Sequence, residues 1–215
     1  MTVTISRLYD SYLTGQHVVG DLEAAGLRSA DISIVASNAD NWYKPGADNG
    51  RKMMARKDKD HDGKDDRVEG AETGAGIGAV VGGAAGLLAG LGVLAIPGVG
   101  PVVAAGWLAA TALGAVAGGA TGGIIGALTQ AGISKDDVPV YAEGLRRGGT
   151  LVTAHVPDGE RTRYEAILNR SAVDIRERGE AYRKSGWTGF DETAKPYGAD
   201  DIRKERTTFQ PTGMP

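Results

Sequence analysis

Acidic residues recur at the spacing of a calcium-binding loop in a short charged stretch. Carboxylate oxygens are the ligands that Ca²⁺ prefers, and glycine at the sixth position, here Gly63, allows the loop to turn sharply. The pattern predicts side-chain ligands, one backbone carbonyl and a final bidentate carboxylate at Asp58, Asp60, Asp62, Lys64 (through its carbonyl), Asp66 and Glu69. Asp65 stands where such loops usually carry an apolar residue, so a solvated linker is the alternative interpretation.

Other candidate chemistry is sparse. His17, His61 and His155 are far apart in sequence and show no metal-ligand spacing. The glycines of 76–82 resemble a dinucleotide-binding fingerprint, but an acidic loop precedes them where that motif requires a strand. No nucleophile elbow, phosphate loop or pair of catalytic carboxylates is recognisable. We expect no enzymatic activity and no cofactor apart from Ca²⁺ at the acidic loop.

The composition limits the partners and the compartment. The 215 residues include 34 glycines and no cysteine, and the net charge is −3. A chain without cysteine has no disulfide and no thiolate metal site. A charge near zero argues against nucleic acid as a partner, because nucleic-acid binders usually carry a basic excess. The N-terminal residues show no signal peptide, so we expect a cytoplasmic protein.

Glycines form two rows in and beside an uncharged stretch, residues 73–134. Four residues make about one helical turn, so glycines at that spacing line one helix face and allow a second helix to approach closely. A disordered low-complexity segment is the alternative, but the period is regular. The predicted helix-packing glycines are Gly70, Gly74, Gly78, Gly82, Gly86 and Gly90 in the first row, and Gly106, Gly114, Gly118, Gly122 and Gly126 in the second. Proline interrupts a helix, so the hairpin turn is predicted at Pro97, Gly98, Gly100 and Pro101.

Alternating and amphipathic patterns flank this stretch. Residues 1–37 predict a strand, a helix that Asp10 or Ser11 caps, and a second strand. Residues 38–72 read as a charged linker. Residues 135–184 predict a helix, a strand over 150–156, a helix from Asp158 and a last strand at 173–177. An irregular tail is expected over 185–215.

The order of these elements predicts the fold class. Strand–helix–strand, a long insertion, and strand–helix–strand again is the order of a ferredoxin-like domain. The sequence therefore predicts an α+β fold, in which a ferredoxin-like split βαβ domain is interrupted by a long glycine-zipper helical hairpin. An insertion whose ends lie together is tolerated, because the cost of loop closure grows slowly with loop length.

Several motifs are similar to those of one bacterial family. They lie at 21–27 and 31–35, at the turn 96–101, and at 141–153, with a further similarity at 185–190. Through them the chain resembles the bacterial general stress proteins, also described as heat-induced or low-temperature-induced stress proteins. The resemblance covers about residues 1–200. It implies an α/β domain split by a glycine zipper and an association with stress, and it brings no catalytic residues.

Two functional hypotheses follow. In the first, a non-enzymatic stress-associated protein uses the zipper hairpin to assemble with itself, to enter the membrane, or both. Each arm of about 25 residues could span a ~30 Å hydrocarbon core. The protein would then lie in the cytoplasm or at the cytoplasmic face of the inner membrane, with membrane lipid as a partner. In the second, the chain is a soluble oligomeric interaction module with a calcium-responsive linker.

Overall fold

Five strands form a single antiparallel sheet in the computed structural model, which describes residues 1–44, 91–109 and 123–209. In chain order the strands are β1 (Thr2–Tyr9), β2 (Ile32–Ser37), β3 (Gly92–Ile96), β4 (Gly100–Ala105) and β5 (Thr150–Pro157). Their order across the sheet is β1-β5-β2-β4-β3.

The helices in these ranges cover both faces of the sheet. They are α1 (Tyr12–Ala24), α2 (Gly123–Gln130), α3 (Val138–Arg146), α4 (Arg161–Leu168), α5 (Ile175–Lys184) and α6 (Ala199–Phe209), with short 3₁₀ turns at Ser29–Asp31 and Asp158–Glu160. Helices α1 and α4 pack on one face, and α3 packs on the other with α2 and α5 against it. The described residues therefore form a mixed α/β fold.

The first strand–helix–strand unit forms as predicted. Ser11 caps α1, and its hydroxyl oxygen accepts a hydrogen bond from the Thr14 backbone N–H at 3.2 Å. The predicted apolar helix face, with Val18, Val19 and Leu22, is buried. Gly26 follows the helix with a φ of 97°, a left-handed conformation that glycine adopts without strain.

Strand β5 lies between β1 and β2 and pairs antiparallel with both. Because successive side chains of a strand point to opposite faces, β5 contributes to two cores. Val152 and Ala154 join the cluster under α1 and α4, and Leu151 joins the cluster under α2 and α3. The strand predicted at 150–156 is thus the centre of this half of the sheet.

Residues 92–105 differ from the expected helical arms, because they form the hairpin β3–β4. β-Branched residues such as Val93, Val102 and Val103 favour strands. Gly98 and Gly100 have φ values of 73° and 102°, which suit a tight connection between strands. Helical arms of about 25 residues on each side of the turn are therefore excluded.

Most of the predicted zipper lies outside the described residues. This holds for 73–90 and 110–122, and for Gly70, Gly74, Gly78, Gly82, Gly86, Gly90, Gly114, Gly118 and Gly122. Gly126 lies in α2, as its row requires. Gly106 is not a helix-packing residue: it follows β4 with a φ of 89° and lies against the backbone of β2.

The described parts of the uncharged stretch, 91–109 and 123–134, supply many residues of the domain core. Leu108 from its centre and Leu128 from its end are both buried in the cluster that α3 covers, beside Val102 of β4. At these two positions the lack of charge agrees with burial in the interior of the α/β domain. Within 1–44, 91–109 and 123–209, no helix has the length and apolar character needed to cross a bilayer.

The second half of the chain departs from prediction at two places. Val173 donates a single backbone hydrogen bond to the Leu8 carbonyl at 2.8 Å, but no last strand follows. Asp174 instead caps α5, since its Oδ1 accepts hydrogen bonds from the N–H groups of Arg176 and Glu177. The tail is not wholly irregular either, because it contains α6.

Candidate interaction site at the sheet edge

Two outward-pointing carbonyls of β1 are bound by the chain's own groups. Backbone groups alternate in direction along an antiparallel strand. The Met1 carbonyl accepts a hydrogen bond from the Asp158 N–H on the β5 side. By this alternation, the backbone N–H and C=O groups of Ser6 and Leu8 point away from β5. The Ser6 carbonyl accepts hydrogen bonds from the Tyr141 hydroxyl at 3.0 Å and from Arg7 Nη1 at 2.9 Å. The Leu8 carbonyl accepts a hydrogen bond from the Val173 N–H.

A polar groove of about 180 Å³ lies along this β1 edge. Its walls come from the loop after α2 and from α4, where Arg161 and Glu165 form an ion pair at 3.5 Å. Glu165 also pairs with Arg7 at 2.9 Å. The charged side chains along the groove therefore pair largely with one another.

The edge at β3 has the opposite character. Its sequence Gly-Val-Leu-Ala-Ile contains no charged residue and no proline, the devices that usually keep an edge strand from pairing with another chain. Val93 is 42% exposed, and Gly92 and Ala95 are exposed as well. Among the described residues, no further strand pairs with β3 on its outer side. This edge is the candidate interaction site.

Two residues of β3 direct their backbone groups outward. The Asn38 N–H donates to the Pro101 carbonyl at 2.8 Å on the β2 side of β4. The next residue, Val102, therefore bonds to β3 through its register partner Leu94. By the same alternation, the N–H and C=O groups of Val93 and Ala95 point away from the sheet.

The tail fixes the hairpin that carries this edge. A Cβ added to Gly98 would lie 2.6 Å from the Glu192 Cα, and one added to Gly100 would lie 2.8 Å from the Pro196 Cβ. Phe190 packs against the core cluster that contains Ile96. The tail thus packs on the outer side of the turn and also contacts the core beneath it. These contacts hold β3 in its strand conformation.

An aromatic loop leads away from the end of β2 beside β3. The Asn38 side chain bonds both the N–H and the carbonyl of Tyr43, each at 3.0 Å, and this closes the loop. Trp42 Nε1 donates to the Ser37 carbonyl at 2.8 Å, and its ring lies 4.4 Å from the ring of Tyr12. The Tyr43 hydroxyl donates to the Leu91 carbonyl at 3.2 Å, next to β3.

A buried ion-pair network, which the sequence reasoning missed, lies at the C-terminal end of α3. Glu143 is 1% exposed and bonds Arg147 Nε at 2.6 Å, and Arg147 Nη1 bonds Glu205 of α6 at 2.6 Å. Burial raises the pKa of Tyr182, whose ring lies under the Arg147 guanidinium, to about 12. The Glu-Arg spacing of three and four on α3 was the available signal. The network holds α6 against α3.

Only some of the residues singled out by the sequence lie in the described ranges. All six calcium-loop residues, from Asp58 to Glu69, lie outside the described ranges, so calcium binding there stays a prediction. Within the described ranges, no group of three or more His, Asp or Glu side chains is placed to hold a metal. His155 stacks on Trp107 with ring centroids 4.1 Å apart, and His17 is exposed on α1.

Comparison with known proteins identifies no relative of this chain. No family model, no curated protein and no solved structure matches this chain. The resemblance to general stress proteins therefore rests on the sequence motifs alone.

Proposed function

We propose that this chain is a non-enzymatic protein that associates with itself, and that β3 is the contact between copies. The observation that carries the proposal is the uncharged edge strand with an exposed Val93. A second strand placed there would satisfy the outward backbone groups of Val93 and Ala95. It would also remove their side chains from water, which contributes about 25 cal/mol per Å² of apolar surface.

Strand pairing at β3 is favoured over membrane insertion by the position of the hairpin. Residues 92–105 lie within the sheet, and the tail packs on their turn. That turn cannot also reach the far side of a bilayer while the sheet stays intact. A role in the stress response, which the family resemblance implies, belongs to the same proposal.

We further propose that the domain is a ferredoxin-like split βαβ fold with the glycine-rich segment inserted after β2. Support comes from β5, which lies antiparallel between β1 and β2, and from α1 and α4, which share one face. In such a fold a last strand would pair with β1 on its outer side. The Val173 hydrogen bond to Leu8 marks where that strand would begin.

Light scattering of the full chain tests self-association. The wild-type protein is expected to show a mass above that of the 22.2 kDa chain. Val93→Lys should shift the mass to that of one chain, because pairing would bring two lysine charges to an edge strand that has no acidic partner for them. Leu13→Lys is the matched control, since Leu13 is 65% exposed on α1, and it should leave the mass unchanged. A wild-type monomer, or a Val93→Lys mass equal to the wild type, would refute the proposal.

A further inference from the structure

We infer that two copies pair antiparallel through β3 about a two-fold axis at Leu94, and that assembly stops at the dimer. This inference rests on the proposed self-association and adds its register, its symmetry and its size. The occupant of the β3 edge is thus a second copy of the same strand.

The outward backbone groups set the register. Antiparallel strands exchange two hydrogen bonds at every second pair of opposed residues. With Leu94 on the axis, Val93 of each copy is opposite Ala95 of the other, so both outward residues form complete pairs. A register centred on Val93 would have to pair Leu91, which lies outside β3 and whose carbonyl is bound to the Tyr43 hydroxyl. The axis at Leu94 uses only groups that point outward and belong to the edge strand.

The side chains suit this register. Val93 is opposite Val103 in the β3–β4 pair, on the α1 side of the sheet, and Leu94 packs into the core on the α3 side. A two-fold axis perpendicular to the sheet keeps these faces aligned, so the Val93 of one copy would contact the Ala95 of the other. Leu94 would lie beside its own symmetry mate. No like charges oppose each other across the axis, because the strand has none.

The other edge explains why growth ends at two copies. A two-fold contact uses the same patch on both subunits and leaves no second β3 edge free. The combined ten-stranded sheet would end in β1 on both sides. There Tyr141 and Arg7 occupy the Ser6 carbonyl, and Val173 occupies the Leu8 carbonyl. A third copy could pair with this half of β1 only by displacing these groups.

Single-cysteine cross-linking tests the register, because the natural chain contains no cysteine. Non-hydrogen-bonded pairs place Cα atoms about 4.5 Å apart, within the ~4.4–6.8 Å range that a disulfide spans. Leu94→Cys is expected to oxidise to a disulfide dimer of twice the 22.2 kDa chain mass. Ala95→Cys and Val93→Cys should each stay uncross-linked alone, yet form a disulfide dimer when mixed. Both positions are exposed, so these two variants are expected to fold even if Leu94→Cys does not.

The outcomes separate this inference from the proposed function. Cross-linking of Val93→Cys or Ala95→Cys alone, without cross-linking of the mixture, would overturn the register and leave association at β3 standing. A wild-type mass above that of two chains would overturn closure at the dimer. A wild-type monomer that no variant cross-links would overturn both proposals.

Discussion

Glycine has different physical roles at two positions that one spacing rule placed in the same row. Gly106 has a φ of 89°, and a Cβ there would lie 2.8 Å from the Ser33 Cα and closer still to the Ile32 carbonyl oxygen. Gly126 lies in α2, and no described atom would come within 4 Å of its added Cβ. Sequence spacing predicts neither difference, because it carries no information about φ or about the neighbouring strand.

Alanine substitution at these two glycines measures the difference. Gly106→Ala should lower the free energy of unfolding by about 2–5 kcal/mol, since left-handed strain adds to a backbone clash with β2. Gly126→Ala should leave it unchanged or raise it by up to ~1 kcal/mol, because alanine favours helix. Urea unfolding gives both values. A strongly destabilised Gly126→Ala would instead indicate close packing against α2, as the zipper hypothesis requires.

At the scale of elements, the sequence predicts those whose local signals agree. Around α1, the cap at Ser11, the apolar face and Gly26 point to the same helix, and the structure has it. The strand prediction at 173–177 is wrong because Asp174 caps α5 and accepts hydrogen bonds from two backbone N–H groups, which favours a helix over the alternating pattern of a strand. At 92–105 the four-residue glycine spacing predicts helix, whereas the β-branched side chains favour strands. The residues form strands because β4 pairs with β2.

Helix α6 offers a pH-dependent test of an element that the sequence reasoning missed. Burial raises the pKa of Glu205, and this outweighs the lowering effect of Arg147. Where a native carboxyl has a raised pKa, the folded state binds protons more strongly than the unfolded state, so its contribution to stability grows as pH falls through that pKa. The free energy of unfolding of the wild type should therefore rise, relative to Glu205→Gln, as the pH falls from neutral through the raised pKa of Glu205 to the ordinary glutamate value of about 4.3.

Glu180→Gln, at an exposed carboxylate on α5, is the control for that experiment and should follow the wild type over the same pH range. Urea unfolding of the three proteins gives the comparison. If Glu205→Gln were the less stable protein at neutral pH and recovered in acid, the ion pair with Arg147 would dominate over burial, and the predicted sign would be wrong.

At the scale of the whole molecule, the candidate site depends on contacts between distant parts of the chain. The sequence locates an uncharged stretch and a Pro-Gly turn, but it cannot show that β3 ends the sheet. That follows from the pairing of β4 with β2 and from the tail that packs on the turn. The bound carbonyls of Ser6 and Leu8 on the β1 edge likewise need Tyr141 and Val173, which are far from them in sequence. Local sequence patterns do not predict contacts between residues so distant in the chain.

The same topology predicts that residues 45–90 can be removed without loss of the domain. Their flanks meet where the Tyr43 hydroxyl donates to the Leu91 carbonyl at 3.2 Å, so a linker of about three glycines can join Lys44 to Leu91. By closure entropy alone, the shorter connection should stabilise the fold by about 2 kcal/mol. Thermal unfolding should stay cooperative, with a Tm equal to or above that of the full chain.

Excision of residues 92–105 with the same linker is the matched control for that shortened chain. It should abolish cooperative unfolding, because it removes Val102 and Ala104 from one core cluster and Ala105 from the other. The chain without 45–90 retains β3, so light scattering should still give the mass of a dimer. Loss of cooperative unfolding in that chain would show that the domain needs the removed segment. A folded monomer would move the self-contact from β3 to residues 45–90.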